Sequence, residues 1–80
     1  MHEIDQSELD IRFTYHPPTP AMAPDFRTIR DSAQRYATLI TGLCPPCRET
    51  SLAITHLEQT VMWANAAIAR RNPSVLGVED

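Results

Sequence analysis

Apolar positions recur at helical spacing on two faces of segment 48–71, which contains neither glycine nor proline. The first apolar face consists of Ile54, Leu57, Val61, Ala64 and Ile68; the second consists of Leu52, Met62, Ala66 and Ala69. Steps of three and four residues predict an α-helix over the whole segment. A hairpin of two helices covers only one of these faces. We therefore expect the second face to meet another copy of the chain, a partner or a ligand.

A second helix is predicted upstream, over residues 25–43. Its apolar stripe has a spacing typical of a coiled coil and consists of Phe26, Ile29, Ala33, Tyr36, Ile40 and Leu43. Two starts are open, with either Thr19 or Asp25 as the N-cap, and we favour a short turn that leads into the main helix. Pro45 and Pro46 separate the two helices, and Asn72–Pro73 ends the helix predicted over residues 48–71. A short connection makes the two helices antiparallel neighbours.

The segment before the hairpin is predicted to be an extended arm. In the run FTYHPP, residues 13–18, the prolines fix φ and push His16 towards extended conformations. Alternation in an extended arm puts Phe13 and Tyr15 on the same side. We expect residues 1–12 and 73–80 to be mobile. The predicted architecture is all-α: an arm and an antiparallel hairpin in residues 13–72, assembled as a homo-oligomer.

Size and charge narrow the choice of partners. A chain of 80 residues buries a modest core and commonly needs oligomerisation, disulfides or metal. Its two cysteines and three histidines match no structural zinc pattern, so we predict no metal and no cofactor. A net charge of −3 argues against DNA or RNA binding, and no apolar stretch is long enough to span a membrane. A cytoplasmic location is the default expectation.

The candidate chemistry is that of binding, because no catalytic motif or nucleophile–base pair is visible. The spacing of Cys44 and Cys47 is that of a redox pair, but the βαβ context is missing, so we interpret it as a plain loop. Asn65 lies on the core side of its helix and either fixes an oligomer register or contacts a ligand. Tyr15 is the best candidate for stacking on a base.

Two segments together resemble a known family. They are the arm FTYHPP and the run CPPCRETSLAITHLEQTVMWANAAIAR, residues 44–70, within a similarity that covers most of 13–71. They resemble the small phage proteins that share a hairpin domain with anti-CBASS and anti-Thoeris sponges. At position 47 this chain has a cysteine where the family pattern has a small polar residue. The helix predicted over residues 25–43 lacks the lysine that some relatives have there.

The resemblance implies a homohexamer that sequesters cyclic nucleotide immune signals without cleaving them, in the cytoplasm of the infected bacterium. It implies ligands of three kinds: cyclic dinucleotides, cyclic trinucleotides and glycocyclic ADP-ribose. It also implies that Tyr15 stacks on a base. A basic residue of the helix predicted over residues 25–43, Arg30 or else Arg27, is implied to contact phosphate. The full set of expected ligand contacts is Tyr15, His16, Pro17, Arg27, Arg30, Arg48, Thr55, Asn65 and Arg70.

Overall fold

The computed structural model describes residues 4–71, and every regular element in that range is helical. Helix α1 spans Gln6–Phe13, a single 3₁₀ turn spans Pro20–Met22, helix α2 spans Ala23–Leu43 and helix α3 spans Arg48–Arg71. The all-α class and the bounds of α3 agree with the sequence prediction. The predicted Asn72–Pro73 stop and the tail 73–80 lie outside the described residues, as do residues 1–3.

The start of α2 combines the two starts that the sequence left open. Thr19 is extended, Pro20 opens the 3₁₀ turn, and the N–H of Met22 donates to the carbonyl of Thr19 over 3.0 Å. The turn runs directly into α2 at Ala23, and Asp25 lies in the first turn, where the helix dipole favours an anion. The predicted short turn is therefore present, and α2 begins earlier than the predicted residue 25.

Helices α2 and α3 pack against each other and form a helical hairpin joined by loop 44–47. The first apolar face of α3 is half-buried throughout. On α2 the prediction fails at two positions, because Tyr36 and Leu43 are 56% and 76% exposed and Ala37 is half-buried instead. A straight α-helix drifts against a 3.5-residue repeat, so the line of contact moves from Tyr36 to Ala37.

The single chain leaves much of its apolar surface uncovered. Met22, which packs at the start of α2, is the one fully buried residue among those described. On the second apolar face, Leu52 and Met62 are exposed, whereas Ala66 and Ala69 are half-buried. The exposed large apolar side chains of residues 4–71 are Ile4, Leu9, Phe13, Tyr15, Tyr36, Leu39, Leu43, Leu52, Met62 and Trp63.

Helix α1 lies where the sequence pattern predicted a mobile segment. Asp5 caps it, since its carboxylate accepts the N–H of Glu8 over 2.9 Å. The Glu8 carboxylate then pairs with Arg12 one turn later, at 2.6 Å, and with Arg71 at the end of α3. Capping and ion pairs, instead of an apolar stripe, therefore stabilise α1 and fasten it to α3.

Candidate functional site

A groove of about 730 Å³ lies where the N-terminal arm passes the first turns of α2 and the last turns of α3. Its volume falls within the range of small-molecule sites in proteins. The walls combine aromatic, aliphatic, cationic and amide side chains: Thr14, Tyr15, His16, Pro18, Phe26, Arg30, Val61, Met62, Asn65, Ala66, Ala69 and Arg70.

The arm holds the Tyr15 ring at the edge of this groove. Thr14 is extended, and its N–H closes α1 by donating to the carbonyl of Asp10 over 3.1 Å. The Nε2 atom of His16 lies 2.6 Å from the carbonyl oxygen of Ile11, so His16 donates to it and ties the arm back to α1. The Tyr15 side chain between these two anchors is 80% exposed, which leaves a ring face free for stacking.

Two guanidinium groups border the groove, from Arg30 on α2 and Arg70 on α3. The Arg30 side chain is 67% exposed, and its contact with the neighbouring Asp31 carboxylate is long, at 3.9 Å. Among residues 4–71 no carboxylate pairs with Arg70, whereas Arg71 beside it pairs with Glu8. Arg30 and Arg70 are therefore available to bind an anion in the groove.

The third polar feature is the side-chain oxygen of Asn65. Oδ1 is buried, and no hydrogen-bond donor within the described range reaches it. A buried acceptor that lacks a partner costs about 1–3 kcal/mol. Because Asn65 also lines the groove, a rotation of its amide that turns Oδ1 towards an N–H or O–H group of a ligand would remove that cost.

The ion pairs of Glu8 fix the position of α1 next to the groove. The hydrogen bonds from Arg71 and then Arg12 hold the pKa of the Glu8 carboxyl well below its usual range, at about 2. The same contact raises the pKa of Arg71. Both residues stay charged near neutral pH, which keeps Arg71 engaged with α1.

The structure brings five of the predicted contact residues into one groove: Tyr15, His16, Arg30, Asn65 and Arg70. Pro17 does not line it, and Pro18 does. Arg27 is exposed near Arg30 but lies outside the groove. Arg48 and Thr55 lie on α3 far from Asn65, about 25 Å and 15 Å along the helix axis.

Several lining residues were not predicted as contacts. Met62, Ala66 and Ala69 belong to the second apolar face of α3 and form part of the groove wall. The pattern of two apolar faces was the signal for them, since it indicated that something besides α2 meets this side of the helix. Thr14 and Phe26 gave no such signal.

The prediction that Phe13 and Tyr15 lie on the same side of an extended arm is wrong. Phe13 ends α1 and lines a separate groove with Trp63 and three arginines, whereas Tyr15 follows in the extended arm. The helix ends between them, so the two-residue alternation of a strand does not apply.

The described residues contain neither a candidate metal site nor a candidate membrane span. No group of three or more His, Cys, Asp or Glu side chains in 4–71 is placed to hold a metal ion. None of the helices there combines the length and the apolarity that crossing a membrane requires.

The fold and the groove together define a small all-helical hairpin protein with a groove lined by aromatic and cationic side chains. Residues 5–69 match the family model for the Acb2/Tad1 hairpin domain, a range that includes α1, the arm and nearly all of the hairpin. The chain therefore belongs to this family, that of the anti-CBASS and anti-Thoeris sponges, as its sequence resemblance indicated. No curated protein matches the chain, and no solved structure does.

Proposed function

We propose that this protein binds cyclic nucleotide immune signals and sequesters them without cleaving them, as a phage anti-CBASS or anti-Thoeris sponge. The ligand is a cyclic dinucleotide, a cyclic trinucleotide or glycocyclic ADP-ribose, and the site of action is the cytoplasm of the infected bacterium. Membership of the hairpin family supports the class of ligand. The observation that carries the proposal is that one groove combines an exposed aromatic ring, two guanidinium groups and an amide oxygen that no donor of residues 4–71 reaches.

Each of these groups matches a part of a nucleotide. A base stacks on the Tyr15 ring, and such stacking contributes about 1–3 kcal/mol per base. Phosphate oxygens take charge-assisted hydrogen bonds from Arg30 and Arg70. With its amide rotated towards the groove, Asn65 accepts an N–H of a base or an O–H of a ribose at Oδ1. None of these groups is a nucleophile placed beside a base, so the ligand is bound and later released unchanged.

We further propose that the working form is a homo-oligomer, with a hexamer as the expected state. The exposed apolar side chains of α2 and α3 support this, because a stable single chain would cover more of them. A neighbouring copy also explains how Arg48 and Thr55 become ligand contacts, since both lie far from the groove of their own chain. Light scattering at micromolar concentration should give a mass several-fold above 9.0 kDa.

The test compares two arginines of the same helix. Arg30 lines the groove, and Arg27, one turn earlier and also exposed, lies outside it. Arg30→Ala should weaken binding of cyclic dinucleotides or trinucleotides by about 1.5–3 kcal/mol, measured by calorimetry. Arg27→Ala should change the affinity little and serves as the matched control. Equal losses in both variants would show that the net charge of α2, and not a phosphate contact, governs binding.

Ligand recovered after heat denaturation of the complex should be intact by chromatography, and a linearised product would reveal an active site.

The alternative function is that of an oligomeric helical adaptor with no nucleotide ligand. The exposed Leu52 and Met62 side chains of the second apolar face support it, since this face would then dock another protein. Absence of binding across cyclic dinucleotides, cyclic trinucleotides and glycocyclic ADP-ribose, in a protein shown to be folded, would favour the adaptor.

A further inference from the structure

Loop 44–47 holds two thiols that the proposed groove does not use. Cys44 and Cys47 are both free and exposed. They line the same cleft of about 430 Å³ at the loop end of the hairpin, together with Thr41, Pro46, Thr50, Ser51 and Ile54. Both exposed cysteines therefore border one cleft, of a size that admits a small molecule.

Each cysteine is anchored to a different helix. The N–H of Cys44 donates to the carbonyl of Ile40 over 2.8 Å and so belongs to the end of α2. The carbonyl of Cys47 accepts the N–H of Ser51 over 3.1 Å, which makes Cys47 the N-cap of α3. Pro45 and Pro46 between them fix φ and limit the loop to few conformations. A bond between the two sulfurs would join the ends of the two helices.

Cys47 is the better nucleophile of the pair because of what surrounds its sulfur. Its Sγ lies 3.3 Å from Thr50 Oγ1, and the Thr50 hydroxyl donates to the carbonyl of Pro45 over 2.7 Å. In the thiol form, S–H donates to Thr50; once the proton leaves, the Thr50 hydroxyl can turn from Pro45 to the sulfur. The hydrogen bond from Thr50, followed by the N–H groups of the first turn of α3, lowers the pKa of the Cys47 thiol.

We propose that Cys44 and Cys47 form a thiol–disulfide exchange site whose substrates are low-molecular-weight disulfides. The Cys47 thiolate attacks one sulfur of the small disulfide, which forms a mixed disulfide and releases the other half as a thiolate that takes up a proton. The Cys44 thiolate then attacks Cys47 Sγ, closes the Cys44–Cys47 disulfide and releases the second half. The protein loses two electrons and two protons, and the small disulfide gains them as two thiols. Thr50 acts as a positioning residue for the Cys47 sulfur.

The experiment treats the reduced full chain with oxidised glutathione and follows the products by intact mass and peptide mapping. The parent protein should end as the Cys44–Cys47 disulfide, with glutathione released. Cys44→Ser should stop at a stable glutathione adduct on Cys47, because the resolving thiol is missing. Cys47→Ser should form its adduct on Cys44 about two- to tenfold more slowly. A lasting adduct in the parent, or equal rates in the two variants, would overturn the proposal.

The role of Thr50 is tested in the Cys44→Ser background, where one thiol reports the rate. Thr50→Val keeps the shape of the side chain and removes the hydroxyl, and should slow adduct formation about two- to fivefold at neutral pH. Thr50→Ser keeps the hydroxyl and should restore the rate. Circular dichroism establishes that the helices persist in both variants. A Thr50→Val rate equal to that of its parent would remove Thr50 from the mechanism.

Discussion

Replacing Asn65 by leucine separates a ligand contact from a structural asparagine. No hydrogen-bond donor of residues 4–71 reaches the buried Oδ1 atom, and a buried acceptor in this state costs about 1–3 kcal/mol. Leucine has a similar volume and no polar atom, so Asn65→Leu should raise the free energy of unfolding by about 1–2 kcal/mol. In a domain of this size each kcal/mol raises Tm by about 4–8 °C. Thermal unfolding of the unliganded protein measures this gain.

The same substitution should weaken ligand binding, since the donor of the ligand loses its acceptor. A loss of about 1–3 kcal/mol corresponds to roughly a 5- to 150-fold weaker affinity in calorimetry. Met62→Leu is the matched control, because Met62 lines the same groove and exchanges for leucine at small cost. A lower Tm for Asn65→Leu with unchanged affinity would refute this reasoning. An altered oligomeric mass would instead assign Asn65 to the register of the assembly.

Two further substitutions test the arm and α1. Tyr15→Ala should cost about 1–3 kcal/mol of binding in calorimetry while the mass by light scattering stays constant, and unchanged affinity would make the arm structural. The attachment of α1 should persist at neutral pH and be lost as the pH falls from about 4.5 towards 2, because protonation of Glu8 breaks its pairs with Arg71 and Arg12. Glu8→Gln should abolish this acid transition, as followed by hydrogen exchange of residues 6–13, and a transition that survives the substitution would assign it to another carboxyl group.

The sequence predicted the parts of the fold that depend on local periodicity. Helix α3 has the predicted bounds because its apolar pattern is regular over its whole length and prolines precede it. Helix α1 was missed because it has no apolar stripe. It depends on a contact between Glu8 and Arg71, which are 63 positions apart in the chain. No pattern within a short window records such a pair, although Asp5 and Glu8 together carry the signature of a helix start.

The features of the candidate site also differ in whether the sequence predicts them or only the structure shows them. Tyr15 was predicted from the proline-containing arm and Arg30 was chosen from the resemblance to a family, and the structure brings both to one groove. The choice between Arg30 and Arg27 needed coordinates, because both are exposed on α2 and only the packing of the arm distinguishes them. That no donor of residues 4–71 reaches Asn65 Oδ1 likewise depends on the tertiary structure. The sequence places this residue on the core side of α3 but does not show which donors reach it.

The two apolar faces of α3 follow from two separate demands on one helix. The first face packs on α2 and holds the hairpin together. The second face supplies Met62, Ala66 and Ala69 to the groove, where small side chains leave room for a ligand. Arg70 stands at the border, since it lines both this groove and the neighbouring one that contains Trp63. Packing on α2 requires neither the small residues nor the Arg70 guanidinium, which pairs with no carboxylate of residues 4–71, so the proposed binding role accounts for the composition of this face.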